Sequence, residues 1–194
     1  MNLRPQHTIW RFPKLLLVAL IFIASPIEAG VKRNAVTCDT GCLPKAIFEV
    51  LKKSFPEWRI KRMDDFDSLH QDVWIKARPG ECPGFVSGHF QDNATTDYVL
   101  LLVPKQSEGT DYKVVLFSKH GNNTNLKPFV ITTESNQILE RVAISKVPAG
   151  NYSEAEEVAK IKLMYDGIQV ANLEAGSMVY YWSNERFQKF VASE

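Results

Sequence analysis

The sequence has little net charge, few cysteines and few histidines. Its 194 residues carry 23 basic and 22 acidic side chains, for a net charge of +1, and they include three cysteines and four histidines. Binding of nucleic acid needs a concentrated positive field, so we do not expect nucleic acid as a partner. The content of apolar residues, 45%, is that of a folded protein and argues against a disordered chain.

Common catalytic motifs are also missing from the sequence. There is no H-E-x-x-H zinc motif and no phosphate loop, and Gly84-Phe85-Val86-Ser87-Gly88 lacks the spacing of a nucleophile elbow. We therefore expect a protein that is not an enzyme. The alternative is a hydrolase whose site is assembled from scattered residues around His120 or Cys82.

The N-terminus has the pattern of a secretory signal peptide. Arg4, Arg11 and Lys14 precede the apolar run Leu15–Ala24, which is shorter than the ~20 residues that span a bilayer. With Ala29 before the cleavage point, residues 1–29 are the predicted signal peptide and residues 30–194 a single domain. We expect a periplasmic or secreted product without stable membrane insertion, and an uncleaved anchor is the alternative. Cleavage leaves 20 basic and 21 acidic side chains.

All three cysteines, Cys38, Cys42 and Cys82, lie in the exported part, where oxidising conditions favour a disulfide. A bridge from Cys38 or Cys42 to Cys82 closes a loop of roughly 40 residues and would stabilise the fold by about 3–4 kcal/mol, more than a small Cys38–Cys42 ring. A metal site of three thiolates is the alternative, although no fourth ligand stands at a suitable spacing.

Apolar spacing predicts one strong helix, over Leu43–Phe55, since Leu43, Ile47, Val50, Leu51 and Phe55 share one face. The chain then extends from Trp58 to Arg62. The acidic group Asp64–Asp72, which contains His70, is predicted to cap a short helix or to face water, with a metal site as the alternative.

Most of the remaining chain alternates between apolar runs and turn signals. Asp166-Gly167 and Ser183-Asn184-Glu185 predict tight hairpins, and short connections predict antiparallel pairing. The expected fold class is α+β, with a single twisted, mainly antiparallel sheet and one N-terminal helix packed on a face. The predicted strands are Tyr98–Val103, Tyr112–Ser118, Phe129–Thr133, Ile138–Ile144, Lys160–Tyr165, Ile168–Leu173, Met178–Ser183 and Phe187–Val191.

The stretch from Cys82 to Leu102 contains C-P-G, then polar residues at alternating positions, then D-Y-V-L-L-L. It resembles the calcium-binding loop of FG-GAP and VCBS-type repeats, and it looks like uncharacterised exported bacterial proteins in which such a loop stands alone. The resemblance implies a ligand set of side chains and one backbone carbonyl, that of Thr95. By position, these ligands correspond to His89, Gln91, Asn93, Thr95 and Asp97.

The loop departs from the pattern in its charge. Asp97 is the one carboxylate in register, because His89 replaces an acid and Gln91 and Asn93 are neutral. Ala94 also stands where the pattern has a glycine. Calcium affinity rises with the charge of the ligands, so we expect no cofactor, with weak Ca²⁺ binding as the alternative.

The C-terminal run Met178–Trp182 places Tyr180 and Trp182 on one face of a strand, where they are candidate binding aromatics. The alternative is that both are covered. Taken together, size and compartment suggest an exported, non-catalytic binding module that acts on a protein or cell-envelope partner. Inhibition of, or immunity to, an envelope-targeting enzyme is one concrete form. The alternatives are the hydrolase and a weak calcium-dependent structural domain.

Overall fold

Strands make up most of the regular structure, which is known here from a computed structural model. It describes residues 43–106, 110–119, 126–153 and 160–192, all within one compact unit. The predictions for the signal peptide, Cys38, Cys42 and His120 concern residues outside these ranges. The assignment of residues 30–194 to a single domain stays a prediction.

The first sheet is built around its third strand. β3 (Asp97–Pro104) pairs with β4 (Tyr112–Lys119) on one edge, and its other edge is shared end to end by β1 (Trp58–Ile60) and β2 (Phe85–Gly88). The apolar run of β3 predicts burial on both faces, and this is confirmed. The fifth strand of this sheet is β5 (Leu126–Glu134).

The predicted N-terminal helix is confirmed as α1, Lys45–Ser54. Pro44 is its N-cap residue. Phe55 is its C-cap residue and donates its N–H to the Leu51 carbonyl. Ile47 and Leu51 are buried against one face of the first sheet, in a cluster with Leu43, Ile60, Leu100, Leu102, Val115, Phe117 and Leu126.

A second sheet covers the opposite face. Val99, Leu101 and Leu116 of the first sheet share a core with Ile144 and Ile168 of the second. The second sheet has the order β11-β10-β9-β6. Its strands are β6 (Val142–Val147), β9 (Gly167–Asn172), β10 (Gly176–Ser183) and β11 (Arg186–Ala192).

Two elements cover the outer face of the second sheet. The helix α2, Ser68–Ala77, brings Trp74 against Phe66 and Ala143. The strands β7 (Gly150–Ser153) and β8 (Lys160–Leu163) pair with each other and place Leu163 in a cluster with Val147, Val179 and Phe190.

The expected α+β fold class, with a single sheet and one helix, is therefore wrong. The described residues form a β-rich fold of three antiparallel sheets with two short α-helices. Periodicity marks an apolar strand face, but it does not say whether a helix or another sheet covers that face. Here α1 covers one face of the first sheet and a second sheet covers the other.

One predicted hairpin is wrong and one is confirmed. The strand before Asp166-Gly167 pairs with β7, whereas β9 pairs with β6 and β10. Asp166 instead exchanges bonds with His89, whose N–H donates to the carboxylate at 3.0 Å and whose carbonyl accepts from the Asp166 N–H at 2.9 Å. At the other turn, the predicted hairpin at Ser183-Asn184-Glu185 is present between β10 and β11. Ser183 pairs with Arg186, and the two residues between them, Asn184 and Glu185, have φ of 51° and 60°.

Gly84 lies where the two sheets meet. Leu101 accepts at its carbonyl from the Lys61 N–H and donates its own N–H to the Gly84 carbonyl, both at 2.9 Å. The neighbouring Pro83 carbonyl accepts from the Ile144 N–H of the second sheet at 2.8 Å. A Cβ atom on Gly84 would stand 2.2 Å from the Lys61 carbonyl oxygen, so this junction has room for glycine alone.

We expect Gly84→Ala to destabilise the protein by about 3 kcal/mol or more, because the clash is with backbone that is held on both sides. Denaturant unfolding measures this. Gly150→Ala is the matched control, since its Cβ would lie 3.5 Å from the Tyr152 ring, and its change should be small. Equal stability of the two variants would contradict the claim that the backbone around Gly84 leaves no room for a Cβ atom.

Candidate functional site

The loop that resembles a calcium-binding loop is closed by its own hydrogen bonds. The Nδ1 atom of His89 lies 2.8 Å from the Thr95 carbonyl oxygen, so the imidazole takes up the one backbone ligand that the pattern supplies. Asp92, outside the predicted ligand set, accepts at Oδ1 from the Ala94 N–H, the Thr95 N–H and the Thr95 hydroxyl at 2.7–2.8 Å. Asn93 is exposed.

Asp97 and Gln91 lie deeper in the loop. Asp97 is fully buried, and its Oδ2 accepts from the Phe90 N–H at 3.3 Å. Its Oδ1 and the Gln91 Oε1 are buried without a hydrogen-bond partner. Burial raises the pKa of Asp97, and hydrogen bonds from the Ser118 hydroxyl and the Phe90 N–H oppose this only in part.

The residues of the loop do not fit Ca²⁺. A single carboxylate is in register, and Thr95 is already engaged by His89, whereas Ca²⁺ collects six to eight oxygens. In the described part of the chain, no three acidic, histidine or cysteine side chains form a metal-binding group. The absence of a cofactor stays a prediction.

We expect Asp97→Asn to stabilise the protein at pH 7 by about 1 kcal/mol, since a buried carboxylate with an unpaired oxygen is costly. A raised pKa means that this cost is absent in acid and grows as the pH rises above the ordinary value of 3.8. Unfolding of wild type and variant at pH 4 and pH 7 measures the difference.

Asp92→Asn is the control in the same loop. Burial raises the pKa of Asp92, but the bonds from Thr95 and Ala94 outweigh it, so that pKa is lowered. Its substitution should therefore lower stability at pH 7. A shift of the same sign in both variants would contradict the assignment.

His70 and Cys82 have structural surroundings. The His70 ring nitrogens lie 2.8 Å from Asp67 Oδ2 and 3.0 Å from Glu174 Oε1, and Arg141 pairs with Glu174. Asp67 also caps α2 by accepting from the His70 N–H, which confirms the predicted capping role of this acidic group. Cys82 is buried. Its pairing with Cys38 or Cys42 stays a prediction, because both lie outside the described residues.

The two candidate binding aromatics differ in exposure. Tyr180 is 6% exposed and belongs to the core between the two sheets, so it offers no surface to a ligand. Trp182 is half-buried and packs edge-on against Phe187, with 5.1 Å between ring centroids. The predicted aromatic platform is therefore reduced to Trp182.

An apolar cavity with a basic rim lies between the end of α1 and β1. We call it the α1–β1 pocket, and its volume is about 260 Å³. Aromatic side chains from the helix end and from β1 supply its apolar part, and the turn between these elements is fixed by the Trp58 N–H, which donates to the Phe55 carbonyl at 3.0 Å. The lining residues are Phe48, Leu51, Lys52, Phe55, Trp58, Arg59, Ile60, Arg62 and Lys105.

Among the described residues, every charged side chain that lines the α1–β1 pocket is cationic. Arg59 is neutralised by a two-pronged bond to Asp65 at 2.6 and 2.7 Å. Burial alone would raise the pKa of Asp65. The hydrogen bonds from Arg59 and from the Arg62 N–H have the larger combined effect, so this pKa lies below its ordinary value. Exposed Lys52 lies over the Phe48 ring at 4.4 Å, and neither it nor Arg62 has a carboxylate partner among the described residues.

The burial of Lys61 is a feature that the sequence did not reveal. Its side chain is fully buried, its Nζ donates to the Leu139 carbonyl at 2.5 Å, and the same atom lies 4.3 Å from the centroid of the Phe66 ring. Burial lowers the pKa of Lys61 from 10.5 to about 8, although Asp65 and Glu140 favour the charged form. The ammonium thus joins β1 to the turn before β6.

We expect Lys61→Met to stabilise the protein at pH 7 by about 1–3 kcal/mol, because it removes a desolvated charge at similar volume. The cost of the ammonium is fully present below pH 8 and disappears as the pH rises to 10.5. The difference in unfolding free energy between variant and wild type should therefore shrink across this interval. If the difference in unfolding free energy did not depend on pH, this would contradict the claim that Lys61 is buried as a charged ammonium.

The sequence did contain a signal for the α1–β1 pocket. Basic and aromatic residues are interleaved over Lys52–Arg62, but the net charge of the whole chain conceals this local excess. Within the described ranges, none of the helices could span a lipid bilayer. No family model, curated protein or solved structure matches the chain.

Proposed function

We propose that this chain is an exported, non-catalytic binding module whose α1–β1 pocket docks an acidic segment of a partner protein. The supporting observation is the combination of an apolar cavity with a rim on which all charged side chains are basic. Aromatic anchors within a charged rim are typical of sites that dominate protein–protein binding.

The size of the pocket favours one anchoring side chain. Its volume of about 260 Å³ lies below the roughly 300–1,000 Å³ of sites for whole small molecules. A leucine, methionine or aromatic residue of a partner would contact Phe48, Phe55 and Trp58. Burial of such a side chain contributes about 1.5–3 kcal/mol.

The charges favour an acidic surrounding sequence. Lys52 and Arg62 are exposed and have no carboxylate partner in the described ranges. Lys105 is held differently, since its ammonium donates to the Pro56 carbonyl. Glutamates on either side of the anchor would meet Lys52 and Arg62 without the removal of an existing ion pair.

The experiment uses a defined acidic peptide, with one central leucine between glutamates, and measures its binding by calorimetry. We expect it to bind more tightly than peptides with alanine for leucine or glutamine for glutamate. The double variant Lys52→Glu/Arg62→Glu should weaken binding about tenfold, because attraction at the rim becomes repulsion. Added salt should also weaken it.

Lys160→Glu/Lys189→Glu is the matched control, since both lysines are exposed and lie outside the pocket. Its binding should equal that of the wild type. Equal affinity for the glutamine peptide, or equal loss in the control variant, would overturn the proposal. Binding to anionic phospholipid vesicles without binding to the peptide would also overturn it, in favour of a membrane surface.

A further inference from the structure

A second cavity lies on the outer face of the second sheet. Its volume is about 530 Å³, within the range of sites for small molecules. The residue after α2, Arg78, stands on one side, and the β7 strand stands on another. The lining residues are Arg78, Lys146, Val147, Pro148, Asn151, Tyr152, Ser153, Gln169, Val179, Phe190 and Ala192.

A row of side-chain hydrogen bonds fixes Gln169 in this cavity. The Ser145 hydroxyl donates to Gln169 Oε1 at 3.0 Å, and Gln169 Nε2 donates to the Ser177 hydroxyl at 2.8 Å. The two serines are 2% and 9% exposed. The row runs across β6, β9 and β10, so the amide of Gln169 is oriented by three strands.

Gln169 in turn positions Arg78. An Nη2–H group of Arg78 donates to Gln169 Oε1 at 3.1 Å. Arg78 is half-buried, and no carboxylate within the described residues forms an ion pair with it. A guanidinium has five N–H donors arranged as a fork that matches a carboxylate, and most of these remain for a ligand.

The polar groups of the cavity are mainly donors. Gln169 Oε1 already accepts twice, whereas Nε2 keeps a second N–H. Among the residues that the structure describes, no acidic side chain lines the cavity. Lys146 at the rim is 3.8 Å from Asp166, a long ion pair. Such surroundings require a ligand that brings acceptors and negative charge.

The rest of the cavity is apolar. Val147, Val179 and Phe190 are buried beneath it, and the Tyr152 ring packs against Phe190 with 6.4 Å between centroids. The Tyr152 hydroxyl is already used, because it donates to the Pro148 carbonyl at 2.6 Å. The wall therefore offers hydrocarbon and ring surface to the body of a ligand.

We infer that this cavity is a binding site for a ligand that has a carboxylate and an apolar part. Arg78 donates hydrogen bonds to the carboxylate, and the apolar part packs against Val147, Val179 and Tyr152. Two sources supply this chemistry: a free organic acid, and the C-terminal carboxylate of a peptide that ends in an apolar residue. The inference is independent of the α1–β1 pocket, which shares no residue with this cavity.

The experiment titrates the protein with phenylacetate and with phenylacetamide, its uncharged amide, and follows methyl groups by NMR. We expect phenylacetate to bind and to shift the Val147 and Val179 methyls, and the amide to bind about tenfold more weakly or not at all. Tripeptides ending in phenylalanine, as free acid and as amide, form the second arm. Tighter binding of the free-acid tripeptide than of phenylacetate would indicate a chain terminus as the source.

Variants of Arg78 distinguish the contribution of its positive charge from that of its forked N–H donors. Arg78→Gln should weaken phenylacetate binding about tenfold or more, and Arg78→Lys should weaken it less. Arg186→Gln, an exposed arginine beside the β10–β11 turn, is the control and should bind as the wild type does. Because the acid and amide are compared on unaltered protein, the result does not depend on whether a variant folds.

Three outcomes would overturn the inference. The first is equal binding of phenylacetate and phenylacetamide, and the second is unchanged affinity in folded Arg78→Gln. The third is a shift confined to the Val86 methyls, since Val86 lines a neighbouring cavity of about 580 Å³ that Arg78 also borders. None of these outcomes bears on the acidic peptide of the proposed function.

Discussion

Each residue of β3 from Val99 to Leu102 is fully buried, so both faces of this strand need an apolar cover. Complete burial of one such side chain contributes about 1.5–3 kcal/mol, and loss of either cover would forfeit several of these contributions. The helix α1 covers the face that carries Leu100 and Leu102. The second sheet covers the face that carries Val99 and Leu101. The candidate sites described above lie at the outer borders of these layers.

Apolar packing is non-directional and does not by itself set the position of one sheet on the other. Directional bonds at the border of the sandwich supply that information. Pro83 accepts from Ile144, His89 exchanges two bonds with Asp166, and Lys61 donates to Leu139. The stretch that resembles a calcium loop thus contributes to the joining of the sheets. Within this stretch, the contact between His89 Nδ1 and the Thr95 carbonyl oxygen closes the loop.

The sequence was a good guide where a property is local. The helix over α1, most strands, the cap at Asp67 and the turn at Asn184-Glu185 follow from spacing and turn chemistry, and each is present. It was a poor guide to partners far apart in the chain. Nothing near Lys160 shows that β8 pairs with β7 rather than β9, and nothing near Lys61 shows that its ammonium is buried. The α1–β1 pocket also could not be predicted from local sequence, because one of its lining residues, Lys105, follows β3 and is distant in the chain from α1 and β1.

The bonds between the sheets join residues that are distant in sequence, since Lys61 and Leu139 are 78 positions apart and His89 and Asp166 are 77 apart. Folds dominated by such non-local pairings acquire native structure slowly, because loop closure precedes the contacts that reward it. For a chain that we propose is exported, slow acquisition of structure is useful, as a translocation channel accepts unfolded polypeptide. The sandwich cannot close until β9, β10 and β11 have been synthesised, so one face of the first sheet lacks its cover until nearly the whole chain is made.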